Sequence, residues 1–294
     1  MKKLLFIIAV CMSLNVAYAS HPPKVETYTL ENGLTIILRE DHTQPKVFGV
    51  VITKAGAKDD PEDATGMAHY QEHMLFKGTE TLGTIDWEKE KPHIDKIFKL
   101  YDQLGQTKND SARKEIQAEI NKESIEAGKY SILNETSFLI NLMGGTNLNA
   151  GTGNDQTLYY NQFPPNQIER WLDLYAERFH KPVFRSFQSE LEVVYEEKNM
   201  YDDQFFSGLF EAYNRQFFKK HPYGQRSIIG TTNDLKNPSL SKMYKFFQQW
   251  YRPGNMALVL VGDFDSETVK PMIAEKFGVW EAGKVPEHKT YDEK

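Results

Sequence analysis

Residues 66–79 read Gly-Met-Ala-His-Tyr-Gln-Glu-His-Met-Leu-Phe-Lys-Gly-Thr, and the reading of the whole chain turns on them. His69 and His73 are four residues apart, with Glu72 between them in azimuth, so on a helix all three side chains leave one face. Two neutral imidazoles at this spacing can hold Zn²⁺ without cancelling its charge, which leaves the metal able to acidify a bound water. Glu72, beside the metal without ligating it, is the candidate general base. The same residues would also suit an amphipathic core helix that happens to carry two histidines. The flanking sequence separates the two readings.

The order His-x-x-Glu-His is the inverzincin pattern, the reverse of His-Glu-x-x-His. With its flanks, Gly-x-Ala-His-x-x-Glu-His-Met-x-Phe-Lys-Gly-Thr resembles the signature of the pitrilysin/insulinase family of zinc metallopeptidases, which includes the mitochondrial processing peptidases. The resemblance extends from about Tyr28 to about Trp280. It implies a zinc-dependent peptidase, with Glu72 taking the water's proton and passing it to the leaving amine.

At the start of the chain, Lys2 and Lys3 precede the apolar run Leu4 to Val10 and then Ala17-Tyr18-Ala19. This pattern predicts a cleaved secretory signal over residues 1–19, not a membrane anchor, and hence an exported, periplasmic product starting at Ser20. A lipoprotein reading at Cys11 is disfavoured because Val10 stands where a small residue is expected. Cys11 is the sole cysteine, so the mature chain has neither disulfides nor thiolate ligands, and any zinc must be held by His and carboxylate. Loss of Lys2 and Lys3 takes the formal charge from −6 to −8, and no basic cluster points to nucleic acid. The full sequence is 40% hydrophobic, enough for the chain after the leader to form one globular domain over residues 20–282.

Val25 to Leu30 and Leu34 to Leu38 are strand-like runs around Glu31-Asn32-Gly33, a hairpin signal, and Val47 to Ile52 is a third strand. After Thr79 the chain departs from the family pattern. Residues 85–135 are highly charged, with Ile94, Ile97, Phe98, Tyr101 and Leu104 at helical spacing, a turn at Gly105 to Asp110, and Ser111 placed to cap a second helix. This predicts an inserted helical hairpin whose charges form a solvated face. Gly151-x-Gly153 lacks the third glycine of a dinucleotide loop, because Gln156 stands there. Instead, Leu148 to Tyr160 resembles the family strand Asn-Ala-x-Thr…Thr-x-Tyr, whose edge pairs with substrate backbone. Carried over, Asn149 and Ala150 contact the peptide. Asn166 and Glu169 look like a capping box for a helix bearing Ile168, Trp171, Leu172, Tyr175 and Phe179, with His180 at its end as a capping or surface residue.

Glu190, Glu192, Glu196 and Glu197 compete for the third ligand position. Glu192, Glu196, Asn199 and Asp203 form a polar stripe, which should face water. Glu190, Val193, Glu197 and Met200 form a mixed stripe, where carboxylates among apolar neighbours need a metal or buried partner. The resemblance makes Glu197 the ligand and Glu190 its supporting residue, although Leu191 replaces an arginine common in the family. The segments from His221 to Leu235 and from Trp250 to Phe277 read as scaffold.

The expected architecture is α/β (α+β): a two-layer sandwich with a largely antiparallel sheet and helices on one face. One Zn²⁺ per chain would be held by His69, His73 and Glu197, with water in the fourth position. The expected activity is endopeptidase cleavage of extended peptides. An assembly subunit of the same fold without catalysis is the rival reading; such subunits usually lose motif residues, and all four are present here. A purely structural zinc is disfavoured by the spare carboxylate. The family pairs a zinc-bearing half with a similarly folded second half, in cis or in trans, and residues 283–294 read as a linker or the truncated start of that half.

Overall fold

Buried and half-exposed residues alternate along the extended runs, as a sheet packed on one face requires. The computed structural model describes residues 24–293; the expected signal segment, Cys11 and Ser20 lie outside them. The chain forms β1 (Glu26–Thr29), β2 (Thr35–Glu40), β3 (Val47–Thr53), α1 (Met67–Met74), α2 (Trp87–Gln106), α3 (Asp110–Gly128) and α4 (Glu135–Leu142). It continues through β4 (Thr146–Thr152), β5 (Thr157–Phe163), α5 (Ile168–His180), α6 (Phe187–Asp202), α7 (Phe205–Phe217), α8 (Pro222–Gln225), α9 (Thr232–Lys236), α10 (Leu240–Trp250), β6 (Met256–Gly262) and α11 (Ser266–Phe277).

The sheet order is β1-β2-β6-β3-β5-β4, antiparallel except for the β2–β6 pair. Ile36, Leu38, Val47, Val51, Tyr159, Phe163, Leu258 and Leu260 are buried on one face beneath the helices. On the other face Ile37, Phe48, Ile52, Leu158, Val259 and Val261 stay half-exposed. The fold is therefore the mixed α/β sandwich expected, and β4 is an edge strand. Among the described residues, no helix is long and apolar enough to cross a membrane.

The α2–α3 hairpin belongs to the core. Ile94, Ile97, Tyr101, Leu104, Ile116 and Ile120 are buried in the main apolar cluster, whereas ion pairs such as Lys91–Asp95 and Lys96–Glu119 decorate its outer side. Two helix starts differ from the sequence reading. The Asn109 side chain, not Ser111, caps α3 by accepting from the Ala112 amide at 3.0 Å. Asn166 lies inside a 3₁₀ turn, Pro165–Gln167, and makes no capping bond, because Pro164-Pro165 already set that turn's φ angles. Helices α4, α7 and α10 have no counterpart among the sequence expectations.

Buried ionic contacts hold the elements around α1. Arg185 is 2% exposed and Glu90 fully buried, joined by Nε–Oε1 and Nη2–Oε2 contacts of 2.8 and 3.1 Å. The same guanidinium donates to the carbonyls of Lys77, Thr79 and Leu82 at 2.7, 2.7 and 3.0 Å. Arg185 thus ties α2 to the loop leaving α1, with its remaining donors occupied. At the other end of α1, the Asp60 carboxylate accepts from the Gly66 and Ala68 amides at 2.7 and 2.8 Å, meeting the orphan N–H groups of the helix start. Gly66 has φ 81°, and a Cβ there would lie 2.4 Å from the Ile229 carbonyl, so only glycine admits this close entry.

These contacts make two predictions. Glu90→Ala leaves Arg185 buried without its counter-charge and should cost about 3–5 kcal/mol in urea denaturation; a loss below about 1 kcal/mol would contradict the clamp. Burial pushes the Asp60 carboxyl up to about 7 against the pull of its amide donors. Between its ordinary value of 3.8 and about 7, the folded chain holds a proton that the unfolded chain has released, so this group's contribution to stability declines as pH rises. The thermal stability of the native chain relative to Asp60→Asn should therefore be greater at about pH 5 than at about pH 7.5, and the opposite trend would exclude this titration.

Candidate metal centre

Helix α1 presents its motif as the periodicity requires. His69 and Glu72 are buried, and the two imidazole rings lie 4.8 Å apart between centroids. Helix α6 brings its carboxylates across. His69 Nε2 lies 3.5 Å from Glu197 Oε1, and His73 Nε2 lies 3.3 Å from Glu197 Oε2. One potential ligand atom from each of His69, His73 and Glu197 lies within 4.8 Å of the others.

This donor set suits zinc. Two nitrogen or oxygen ligands of a tetrahedral zinc, each about 2.0–2.1 Å from the metal, stand about 3.4 Å apart, close to the observed His–Glu separations. The set contains no sulfur, supplies three ligands where tetrahedral zinc takes four, and keeps Glu72 outside the trio. Among the described residues the two imidazoles are the cationic groups paired with Glu197, and they hold its carboxyl well below the usual carboxylate range despite partial burial.

Glu190 sits behind the trio. Its Oε1 lies 2.7 Å from His73 Nδ1, and its Oε2 pairs with Lys77. With Nδ1 engaged by a carboxylate, His73 directs Nε2 toward Glu197, as a metal-ligating imidazole is normally oriented. Burial opposes the charge on both partners. For Glu190, the contacts with His73 and Lys77 outweigh it and lower the carboxyl pKa. For His73, Glu190 and Glu197 outweigh it and raise the imidazole to about 9. His69 lacks an equivalent support: its Nδ1 is buried without a hydrogen-bond partner among the described residues.

The mixed stripe on α6 does not face inward as expected. Val193 and Met200 are 51% and 66% exposed, and the buried residues of α6 are Phe187, Val194 and Lys198. Glu190 and Glu197 lie beside that buried face and reach the histidines of α1, so the stripe runs along the solvent-exposed side of the site. Glu192, Glu196, Asn199 and Asp203 do face water. Asn149 and Ala150 lie on the sheet-edge strand β4, opposite Tyr160 and Tyr159 of β5. The Asn149 side chain accepts from the Ala150 amide at 2.9 Å. His180 remains apart at the end of α5.

Two residues at the site carry contacts for which the sequence offers no role, Thr152 being only the threonine of the Asn-Ala-x-Thr strand. Thr152, on β4, donates its hydroxyl to Glu72 Oε2 at 2.5 Å. Arg178, on α5, is fully buried; its Nε donates to the Leu75 carbonyl at 2.6 Å at the end of α1, and its guanidinium lies 3.9 Å from the Phe76 ring centre. Burial lowers its pKa, while Tyr175, Tyr159, Tyr251 and Glu72 act in the opposite sense. The available signal was its position seven residues after Trp171, on the helix's buried stripe.

Comparison with known proteins places this arrangement. The family model described as "Insulinase (Peptidase family M16)" matches residues 35–115 and 125–232, and that described as "Peptidase M16 inactive domain" matches residues 239–294. Among curated proteins, the zinc protease PqqE of Helicobacter pylori is 25% identical, across 92% of this chain and 50% of that protein. The probable zinc protease PqqL of Escherichia coli is 22% identical, across 92% of this chain and 25% of that protein. Among solved structures, a protease from Helicobacter pylori superposes with a TM-score of 0.68 at 23% identity, over 93% of this chain and 54% of that one. The periplasmic protease PqqL of Escherichia coli gives 0.70 at 20% identity, over 94% of this chain and 26% of that one. The chain thus spans half or less of these curated relatives' lengths, and the structural likenesses speak for the fold. With the family model matching more than half of its residues, the chain belongs to the insulinase family of peptidases, peptidase family M16.

Proposed function

We propose that the chain is the zinc-bearing half of an exported endopeptidase that cleaves extended peptides. The observation that carries this reading is the convergence of His69 Nε2 and His73 Nε2 on Glu197, with the fourth motif residue, Glu72, buried beside them and held by a different partner. Held by His69, His73 and Glu197, zinc would polarise the scissile carbonyl and acidify the attacking water. Glu72 accepts that water's proton and delivers it to the leaving amine. Glu190 orients His73 through Nδ1. The peptide adds as a further strand at the free edge of β4, with Asn149 and Ala150 contacting its backbone. For that, the Asn149 side chain must release the Ala150 amide.

A second half, in cis or in trans, closes the site. Supporting this are the length of the relatives, the half-exposed apolar face of the sheet, and α7, where Phe205, Phe206, Leu209, Phe210, Tyr213 and Phe217 are each more than half exposed. Soluble monomers rarely leave so much contiguous apolar surface uncovered. Residues 283–293, a linker or the start of that second half, lie along the domain, with His288 stacked on Trp250 at 4.9 Å and bonded to Asp59 at 2.8 Å. Export is supported by the leader-like first nineteen residues and by the similarity to PqqL of Escherichia coli, a periplasmic protease. The rival, a zinc-binding assembly subunit without catalysis, differs only in turnover.

Glu197→Ala should abolish stoichiometric zinc binding while Glu196→Ala retains it; equal loss from both, read by metal analysis, would remove Glu197 from the ligand set. Glu72→Gln should keep zinc yet lower peptide turnover about 10²–10⁴-fold, and near-normal turnover would refute the mechanism and favour another base. Peptide-library cleavage by the isolated chain should be weak and should rise when a matching second half is added. Full activity from a demonstrably monomeric chain would show that this half suffices.

A further inference from the structure

Thr152 links the proposed general base to the strand proposed to receive the peptide. It is eighty positions from Glu72 in sequence, yet its hydroxyl donates to Glu72 Oε2 at 2.5 Å. It closes β4, opposite Thr157 of β5. Strand alternation puts Leu148, Ala150 and Thr152 on one face; Leu148 and Ala150 pack on the core there, and Thr152 meets the carboxylate from the same side. Asn149 projects from the opposite face.

The terminal torsion of a glutamate side chain is broad and roughly two-fold, so little in the residue itself decides which oxygen faces a reacting water. Glu72 is 8% exposed, and the Thr152 hydroxyl is the only hydrogen-bond donor found on its carboxylate among the described residues. Bonding to Oε2 leaves Oε1 as the oxygen free to receive a proton. The bond also gives the base a mechanical connection to β4. That strand is irregular, with a register shift between Thr146 and Asn149 and a positive φ of 54° at Asn147. A peptide pairing along its outer edge would supply the backbone partners that the free edge lacks and fix the strand's position.

We propose that Thr152 is a positioning residue that orients Glu72, and that pairing of an extended peptide with β4 acts through it to set the base for proton transfer. The substrates favoured by this arrangement are peptides long enough to pair along β4, which gain in kcat and not only in KM. The inference rests on the reading of Glu72 as general base, and Glu72→Gln assayed in parallel keeps the two separate.

The test compares Thr152→Val, which removes the donor at similar volume, with Thr152→Ser, which keeps it, and Thr152→Ala, which cannot clash if valine prevents folding. Assays use the chain with its second half supplied and a short and a long peptide of the same scissile sequence. The donor-less variants should lose about 10–100-fold in kcat, the scale of a hydrogen bond to a charged group, with zinc content unchanged. Thr152→Ser should recover most of that loss. Affinity for the uncleaved long peptide, measured in a Glu72→Gln background, should be the same with or without the threonine. The kcat advantage of the long peptide should shrink in Thr152→Val and Thr152→Ala. A crystal structure of zinc-loaded Thr152→Ala should show the Glu72 carboxylate rotated or in several orientations, a readout independent of turnover. An unchanged kcat, an unmoved carboxylate, or a loss of zinc or peptide affinity equal to the loss of kcat would overturn the proposal. If Glu72→Gln itself turns over normally, the functional reading fails instead.

Discussion

The contact between His73 Nδ1 and Glu190, 2.7 Å long and spanning 117 positions of sequence, fixes how α1 and α6 face each other. The surrounding structure keeps that contact in place. Lys77 takes the second oxygen of Glu190, so the carboxylate is shared between the metal helix and the loop that leaves it. One turn before His73, the Tyr70 hydroxyl donates to the Phe187 carbonyl at 2.6 Å, with the two rings stacked 4.7 Å apart. Asp60 holds the start of α1, Arg178 holds its end, and Arg185 anchors the following loop to α2. Burying this many charged groups is costly unless each finds hydrogen bonds. Arg185 satisfies that condition fully; Arg178 does not, since Nη1 and Nη2 have no partners among the described residues and rely on the surrounding aromatic faces.

What could be read in the sequence was whatever depends on local periodicity. The four-residue spacing of His69 and His73 set the shared face of α1. Alternation gave the strands, and the stripe from Trp171 to Phe179 gave the buried side of α5. The grouping of His69, His73 and Glu197 was within reach because a resemblance supplied the third residue; helix geometry alone left Glu190 and Glu197 together. Residues whose role depends on a distant partner were not legible. Thr152 is no more than the threonine of the Asn-Ala-x-Thr strand until β4 is laid beside α1, and Arg178 and Arg185 look like surface cations until their carbonyl and carboxylate partners are known. The exposure of Val193 and Met200 is illegible for the opposite reason: an apolar residue on a mixed stripe implies a covering neighbour, and here the stripe is exposed.

The position of the site follows from the shape of the domain. β4 has a free edge because it is last in the sheet, α6 meets α1 beside that strand, and α7, which packs against α6, exposes large apolar side chains. The described residues thus place the site's polar groups together and leave the large apolar side chains of α7 uncovered. Within that site, charge is organised by role. Glu197 faces two imidazoles, Glu190 supports one of them from behind, and Glu72 answers to a neutral hydroxyl.

The central claim is that two imidazoles of α1 and one carboxylate of α6 form a single zinc site. X-ray absorption at the zinc edge of the purified, zinc-loaded chain tests it most directly. The expected result is one zinc per chain, with two imidazole nitrogens and oxygen ligands at about 2.0–2.1 Å and no sulfur scattering. A first shell without imidazole, or failure of the folded chain to retain zinc, would contradict it.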